Sequence, residues 1–185
     1  MKKSYFARAV LTGLLCVLTL FGLGGCKKPL GNIESGGVID KTDYNAPKTI
    51  VSKEITGFHT TFTLTQVGEN NEETKRFTFD IKENESGVLT AYAEESAIRY
   101  PADAALLTAL QGIIDEQALA QYNGVYRVTA GLPPEFQECN LMVQYASGET
   151  LTFTKNSEPR LEWTRAIYDV FADWFTEKGL TMSEE

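Results

Sequence analysis

The sequence predicts an α+β fold: an antiparallel sheet of about five strands, in the order βββ-α-ββ-α, with two helices packed on it. Three observations carry this. Apolar residues alternate with polar ones in three consecutive runs between Phe58 and Glu94, and in two more between Cys139 and Phe153. Between and after these groups the period lengthens to that of a helix. Strand runs broken by helices and joined by short polar turns favour such a sandwich over a doubly wound parallel sheet.

The first strand places Phe58, Thr60, Phe62 and Leu64 on one side and His59, Thr61, Thr63 and Thr65 on the other. A polar turn from Gly68 to Glu73 breaks it. Phe77, Phe79 and Ile81 then alternate with Arg76, Thr78, Asp80 and Lys82. The segment Glu83 to Gly87 makes the next turn, and Val88 to Glu94 forms a third strand, completing a meander. From Pro101 and Asp103 the spacing of Leu106, Leu107, Leu110, Ile113 and Ile114 predicts an amphipathic helix over residues 102–118. A glycine- and proline-bearing stretch from Asn123 to Phe136 crosses to the last strands, where Leu141, Val143 and Tyr145, then Leu151 and Phe153, flank a Ser-Gly hairpin turn. Pro159 is expected to open a final helix carrying Leu161, Trp163, Ile167, Tyr168, Phe171, Trp174 and Phe175, with Gly179 ending it.

Ahead of this domain the chain reads differently. Lys2, Lys3 and Arg8 precede an uncharged stretch, residues 9–25, that closes on Leu23-Gly24-Gly25-Cys26 and is followed at once by Lys27 and Lys28. A basic start, an apolar core and a small-residue end are the pattern of a secretory leader, and three glycines near its end leave it short for a bilayer span. The Leu-Gly-Gly-Cys ending resembles the lipobox of bacterial lipoproteins. That resemblance covers only about the first 26 residues, and it implies that Cys26 is lipidated on its sulfur and becomes the mature first residue. It implies an extracytoplasmic protein anchored to the bacterial cell membrane. Two acyl chains hold a protein on a bilayer far better than one, and the two lysines then lie where anionic head groups meet water.

This reading divides the chain into a signal peptide (1–25), a lipidated cysteine with a flexible tether (26–47), one globular domain (48–180) and a disordered C-terminus (181–185). The tether is rich in Gly, Pro, Asn and Asp. A docked strand at Val38-Ile39-Asp40 is excluded within it, because only two neighbouring residues there are apolar and nothing alternates.

The whole chain has 17 basic and 25 acidic residues, a formal net charge of −8. Loss of the leader leaves 14 basic against 25 acidic, a net of −11. Nucleic acid is therefore an unsuitable partner, since phosphate backbones call for clustered Lys and Arg. Cys16 departs with the leader and Cys26 is assigned to lipid, so Cys139 stands alone and no disulfide staples the domain. A monomeric domain is expected.

No motif for catalysis or cofactors emerges. A single histidine, His59, excludes multi-histidine zinc sites and lies among threonines on the strand face away from the phenylalanines. Cys139 shares the phase of Leu141, Val143 and Tyr145, which makes it a buried small hydrophobe rather than a nucleophile. Serine-nucleophile, phosphate-loop and metalloprotease signatures are absent. The acidic turns lack calcium-loop spacing. Trp163 and Trp174 share a helix face with Ile167 and Val170, as core residues do. The exception to this plainness is the crossing stretch, where Tyr122, Tyr126, Leu132 and Phe136 put apolar groups in a loop. Either they form a binding surface or the loop folds back on the core.

The reading expected from these residues is a non-catalytic binding or scaffold domain on a lipid anchor at Cys26, taking a protein, peptide or glycan, without cofactor or metal. Two alternatives stay open: a small envelope hydrolase using carboxylates, or an inhibitor or masking module acting through the 122–136 loop.

Overall fold

A computed structural model describes residues 36–67, 72–158 and 161–182, all of which belong to one compact unit. The leader, the lipobox with Cys26, most of the first hairpin turn and Pro159 lie outside the described residues.

The α+β class holds, but the sheet is larger than the sequence suggests. Among the described residues eight strands form it, β1 (Val38–Asp40), β2 (Ile55–Val67), β3 (Glu72–Glu83), β4 (Leu89–Ala93), β5 (Ile98–Pro101), β6 (Tyr126–Thr129), β7 (Glu138–Tyr145) and β8 (Thr150–Asn156). Their spatial order is β1-β6-β8-β7-β2-β3-β4-β5. Every pairing is antiparallel except β6 with β8, which is parallel, so the sheet is mixed. Helix α1 spans Ala104–Glu116 and helix α2 Glu162–Glu177.

The five expected strands are the inner ones, and the three additional ones are short and lie toward the edges. The reason is physical. An inner strand buries a full row of side chains and so alternates strongly. A three- or four-residue edge strand is held largely by its backbone hydrogen bonds. β1 is the plainest correction, since the side-chain pattern of Val38-Ile39-Asp40 argues against a strand there. It pairs with β6 in the register Val38↔Thr129, Ile39↔Val128 and Asp40↔Arg127. The pairing is extended by Gly36 N–H to Ala130 O at 3.2 Å and Lys41 N–H to Tyr126 O at 2.8 Å. Residues 38–40, within the stretch read as tether, thus join the sheet. At the other end Leu180 and Met182 pack partly buried against the core, beyond the helix they follow.

Both helices cover the same face. The alternating phenylalanines of β2 and β3 meet α2 through rings. Phe79 stacks on Phe171 at 4.4 Å between centroids, Phe77 meets Tyr168 edge-on at 4.8 Å, and Trp163 stands edge-on to both Phe62 and Phe153. Such pairs add roughly 0.5–1.5 kcal/mol beyond the area they bury. Trp163 and Trp174 are both core residues, as their spacing predicts.

Asp103 caps α1, its carboxylate accepting from Leu106 N–H at 3.0 Å. The same side chain accepts from Trp174 Nε1 at 3.0 Å and pairs with Lys178 Nζ at 2.8 Å, tying the start of α1 to the end of α2. α2 begins at Glu162 rather than at Pro159, and ends where Gly179 takes φ +75°. A positive φ of this kind suits glycine, and it lets Leu180 N–H close on Phe175 O at 2.9 Å.

Asn123 fixes the edge that holds β6. It is buried, and its amide donates to Pro47 O at 2.9 Å and Thr150 O at 3.1 Å, while its side-chain oxygen accepts from Thr152 N–H at 2.8 Å. Lys48 Nζ donates to its backbone oxygen. One side chain therefore binds the incoming segment to β8 and seats the turn before the parallel strand.

Candidate functional site

With both helices on one side, period-two alternation sends the other half of every strand to a face that, among the described residues, neither α1 nor α2 covers, although its Thr61, Thr63 and Thr78 are buried. The strand register builds a continuous row across it: Thr152 of β8, Met142 of β7, His59 of β2, Asp80 of β3, Tyr92 of β4 and Arg99 of β5. Met142 is 42% exposed, unusual for a methionine in an inner strand. His59 Nδ1 lies 3.0 Å from Asp80 Oδ1, and Lys82 Nζ lies 3.8 Å from the same oxygen. The guanidinium of Arg99 sits 4.6 Å from the centre of the Tyr92 ring. His59 therefore belongs to an inner strand, partly exposed and paired with a carboxylate.

Charge is distributed unevenly between the two sides. The outer surface of α2 exposes Glu162, Asp169, Asp173 and Glu177 against Arg165 alone. The sheet face exposes Arg76, Lys82 and Arg99 against Glu138, while Asp80 is largely buried between its neighbours. Nearby, the Glu95 carboxyl is pushed above its ordinary range by desolvation and drawn back partly by backbone hydrogen bonds and, more weakly, by Arg76. At Asp169, desolvation again raises the carboxyl, with Arg165 opposing.

Two clefts open along the side of the sheet that carries β1 and β6. One of about 490 Å³ is bounded by Asp43, Pro47, Tyr126, Thr152 and Thr154. A second of about 490 Å³ is bounded by Ile39, Arg76, Val128, Leu132, Glu138 and Asn156 among others.

The four apolar residues of the crossing stretch, weighed as a binding surface or as a loop folded back on the core, are spread over several places. Tyr122 is partly buried against the core, its ring 5.7 Å from Phe153 and capped by Lys155 Nζ at 4.9 Å. Tyr126 lies in β6 under Lys41 Nζ at 5.3 Å and lines the first cleft. Leu132 lines the second, and Phe136 ends a short 3-10 turn, its backbone oxygen accepting from Asn156 Nδ2 at 3.0 Å. The loop is divided because β6 runs through its middle. Arg76 and Lys82 are legible in the sequence only as polar members of an alternating run, and Glu138 and Arg99 lie outside the runs read there; nothing in one strand shows which strands will lie beside it.

Cys139 is fully buried, and desolvation pushes its thiol up to about 12. Among the described residues no three His, Cys, Asp or Glu side chains stand close enough to hold a metal ion, and no helix is long and apolar enough to cross a membrane. No family model, no curated protein and no solved structure matches the chain.

Proposed function

We propose that the protein is a bacterial lipoprotein, anchored to the outside of the cell membrane through Cys26, whose domain is a non-catalytic binding module for an acidic protein surface. The observation that carries the binding reading is the uncovered sheet face. It presents an exposed Met142 beside His59, Tyr92, Lys82 and Arg99 in a chain whose net charge is −8. Aromatic, Met and Arg side chains are the types enriched where proteins meet, and the cationic half of the face complements an acidic partner. The acidic helices on the opposite side disfavour that same partner, which gives the module a preferred orientation. The anchor rests on the lipobox resemblance and on the lysines that follow it.

Two experiments test the two halves separately. Cys26→Ser should give a precursor that is not cut before residue 26 and takes up no labelled palmitate; normal processing and labelling would remove the anchor. For the face, a photo-crosslinker at position 142 of the full chain in intact cells should give a defined adduct. That adduct should be lost on Lys82→Glu with Arg99→Glu and kept on Asp169→Lys with Asp173→Lys. Loss from the helix variant alone, or an adduct indifferent to both, would refute the sheet face as the working surface.

A further inference from the structure

We infer that the rim formed by residues 36–54 rests on the bilayer that holds the anchor, with Tyr44 and Val51 set among the lipid headgroups. The inference rests on the reading of Cys26 as the point of lipid attachment and uses no residue of the Met142–Arg99 row.

The length of chain ahead of the domain sets the distance. Gly36 N–H is already bonded to Ala130 O at 3.2 Å, so only residues 27–35 lie between this segment and Cys26. From position 26 to position 36 the chain reaches at most about 36 Å, at about 3.3–3.6 Å per residue. β5 stands at the far edge of the sheet from β1, roughly 34 Å across at about 4.8 Å per strand spacing. Among the described residues, 36–54 are therefore the part that the anchor holds nearest to the membrane.

That same segment gathers exposed apolar side chains. Among the described residues six large ones are exposed, and three of them, Val38, Tyr44 and Val51, lie in it; Tyr44 and Val51, each 79% exposed, are the most exposed of the six. Local bonds fix the backbone that displays them. Asp43 closes a tight turn around Tyr44, its carboxylate accepting from Asn45 N–H at 2.9 Å and its backbone oxygen from Ala46 N–H at 3.3 Å. The Glu149 carboxylate accepts from Val51 N–H at 3.0 Å and from Ser52 N–H at 2.9 Å. A tyrosine, apolar in its body and polar at its tip, suits the boundary between headgroups and water. Lys41, Lys48 and Lys53 are exposed in the same segment. Lys48 also donates to Asn123 O, and Lys53 pairs with Asp115 at 2.6 Å. An ammonium has three donors, so each keeps some for lipid phosphate while its stem lies along apolar surface.

Charge selects the same rim. Residues 27–54 hold five basic and four acidic side chains, a net of +1, whereas residues 55–185 hold nine against 21, a net of −12. An anionic bilayer repels the bulk of the domain and tolerates this part of it. Tether length, apolar exposure and repulsion therefore favour one orientation, with β1 and the segment behind it toward the lipid.

Photo-crosslinking tests this with the full chain recovered from cell membranes and reconstituted in vesicles of equal parts phosphatidylglycerol and phosphatidylethanolamine. A benzophenone side chain at position 44 or 51 should give phospholipid adducts at least about fivefold more often than one at position 142 or 169. With the benzophenone at position 38, Tyr44→Ser together with Val51→Ser should lower the phospholipid adduct at least about threefold. Equal yields at 44, 51, 142 and 169, or a signal at 38 indifferent to the double variant, would overturn the contact, and a palmitate label on Cys26 would then leave the anchor standing. A chain without lipid that still gives the adducts at 44 and 51 would overturn the anchor alone, and a chain with neither would overturn both. Adducts at 44 or 51 to a second copy of the chain, or in intact cells to another protein, in place of phospholipid would also overturn the contact. A circular dichroism spectrum unchanged from the parent certifies each variant as folded.

Discussion

Replacing Asp103 tests how the two helices are held as a pair. Its carboxylate does three things at once: it caps α1 through Leu106 N–H, accepts from Trp174 Nε1, and pairs with Lys178. Loss of a helix cap costs about 1 kcal/mol, and loss of a partly buried hydrogen bond roughly another 1 kcal/mol. The charge itself can be judged from titration. The Lys178 hydrogen bond, followed by the Leu106 N–H, holds the carboxyl at about 2 against an ordinary 3.8. A tenfold change in the acidity of a group corresponds to about 1.4 kcal/mol. The side chain is 39% exposed, however, so solvent screening reduces the charge contribution to about 1 kcal/mol. Asp103→Ala should therefore lose about 2–3 kcal/mol, and Asp103→Asn, which keeps a good cap, about 1 kcal/mol. The pH dependence has a definite sign. Because the folded-state pKa is depressed, the charge stabilises above about pH 4, and the effect fades as pH falls toward 2. Urea unfolding followed by tryptophan fluorescence reads this directly, with the gap between parent and Asp103→Asn closing between pH 4 and pH 2. An alanine variant within 0.5 kcal/mol of the parent (well under the roughly 1 kcal/mol of the cap alone), or an asparagine variant as damaged as the alanine one, would refute the reasoning.

Other consequences follow from single residues. Asn123→Ala strands three backbone groups and should cost about 3 kcal/mol. At about 2–4 °C per kcal/mol that is a melting temperature lower by roughly 10 °C, and a fall under about 2 °C in a thermal scan would contradict the role given to it. Cys139, fully buried with its thiol raised to about 12, should react with a thiol reagent at pH 8 at least a hundredfold more slowly in the folded than in the unfolded protein. Rates within tenfold would mean that the strand is open. Beginning the chain at Ala46 removes β1 and the bonds from Lys41 and Asp43 to the β6 segment. Such a chain should still fold on its buried phenylalanines but melt lower than one beginning at Ile33; equal melting temperatures would show that β1 adds nothing.

What the residues announce, and what they hide, divides along a physical line. Phe58 to Leu64 and Phe77 to Ile81 each bury one whole face, so their alternation is written in the chain. Leu106 to Ile114 likewise spell out α1. Val38-Ile39-Asp40 buries almost nothing, and Tyr126 to Thr129 buries only Val128. These strands are held largely through backbone bonds that any residue can make, so their side chains carry no period to read. Asp103 is visible as a helix opening, but its bonds to Trp174 and Lys178 join residues more than seventy positions apart. The candidate sites stay hidden for the same reason. Glu138 of β7 and Arg76 of β3 border one cleft although they lie far apart in the chain, and register between distant strands is a property of the assembled sheet.

The place of β1 has a mechanical meaning. Any load applied to the chain ahead of residue 36 enters the domain at a three-residue strand on the rim of the sheet, far in sequence from the phenylalanine core. Behind β1, residues 41–54 are secured by a handful of bonds to Tyr126, Gly124, Asn123 and Glu149 rather than by a strand of their own. Pulled from that end, the rim should peel first and release residues 36–54 before β2 is strained, an extension of at most roughly 70 Å at about 3.3–3.6 Å per residue. In a single-molecule force experiment this would appear as a small, reversible early step ahead of one large rupture. A protein held to a surface by its leading end would then have a yielding link in series with a stiff one, able to give ground under a tug and recover its shape while the inner strands stay paired.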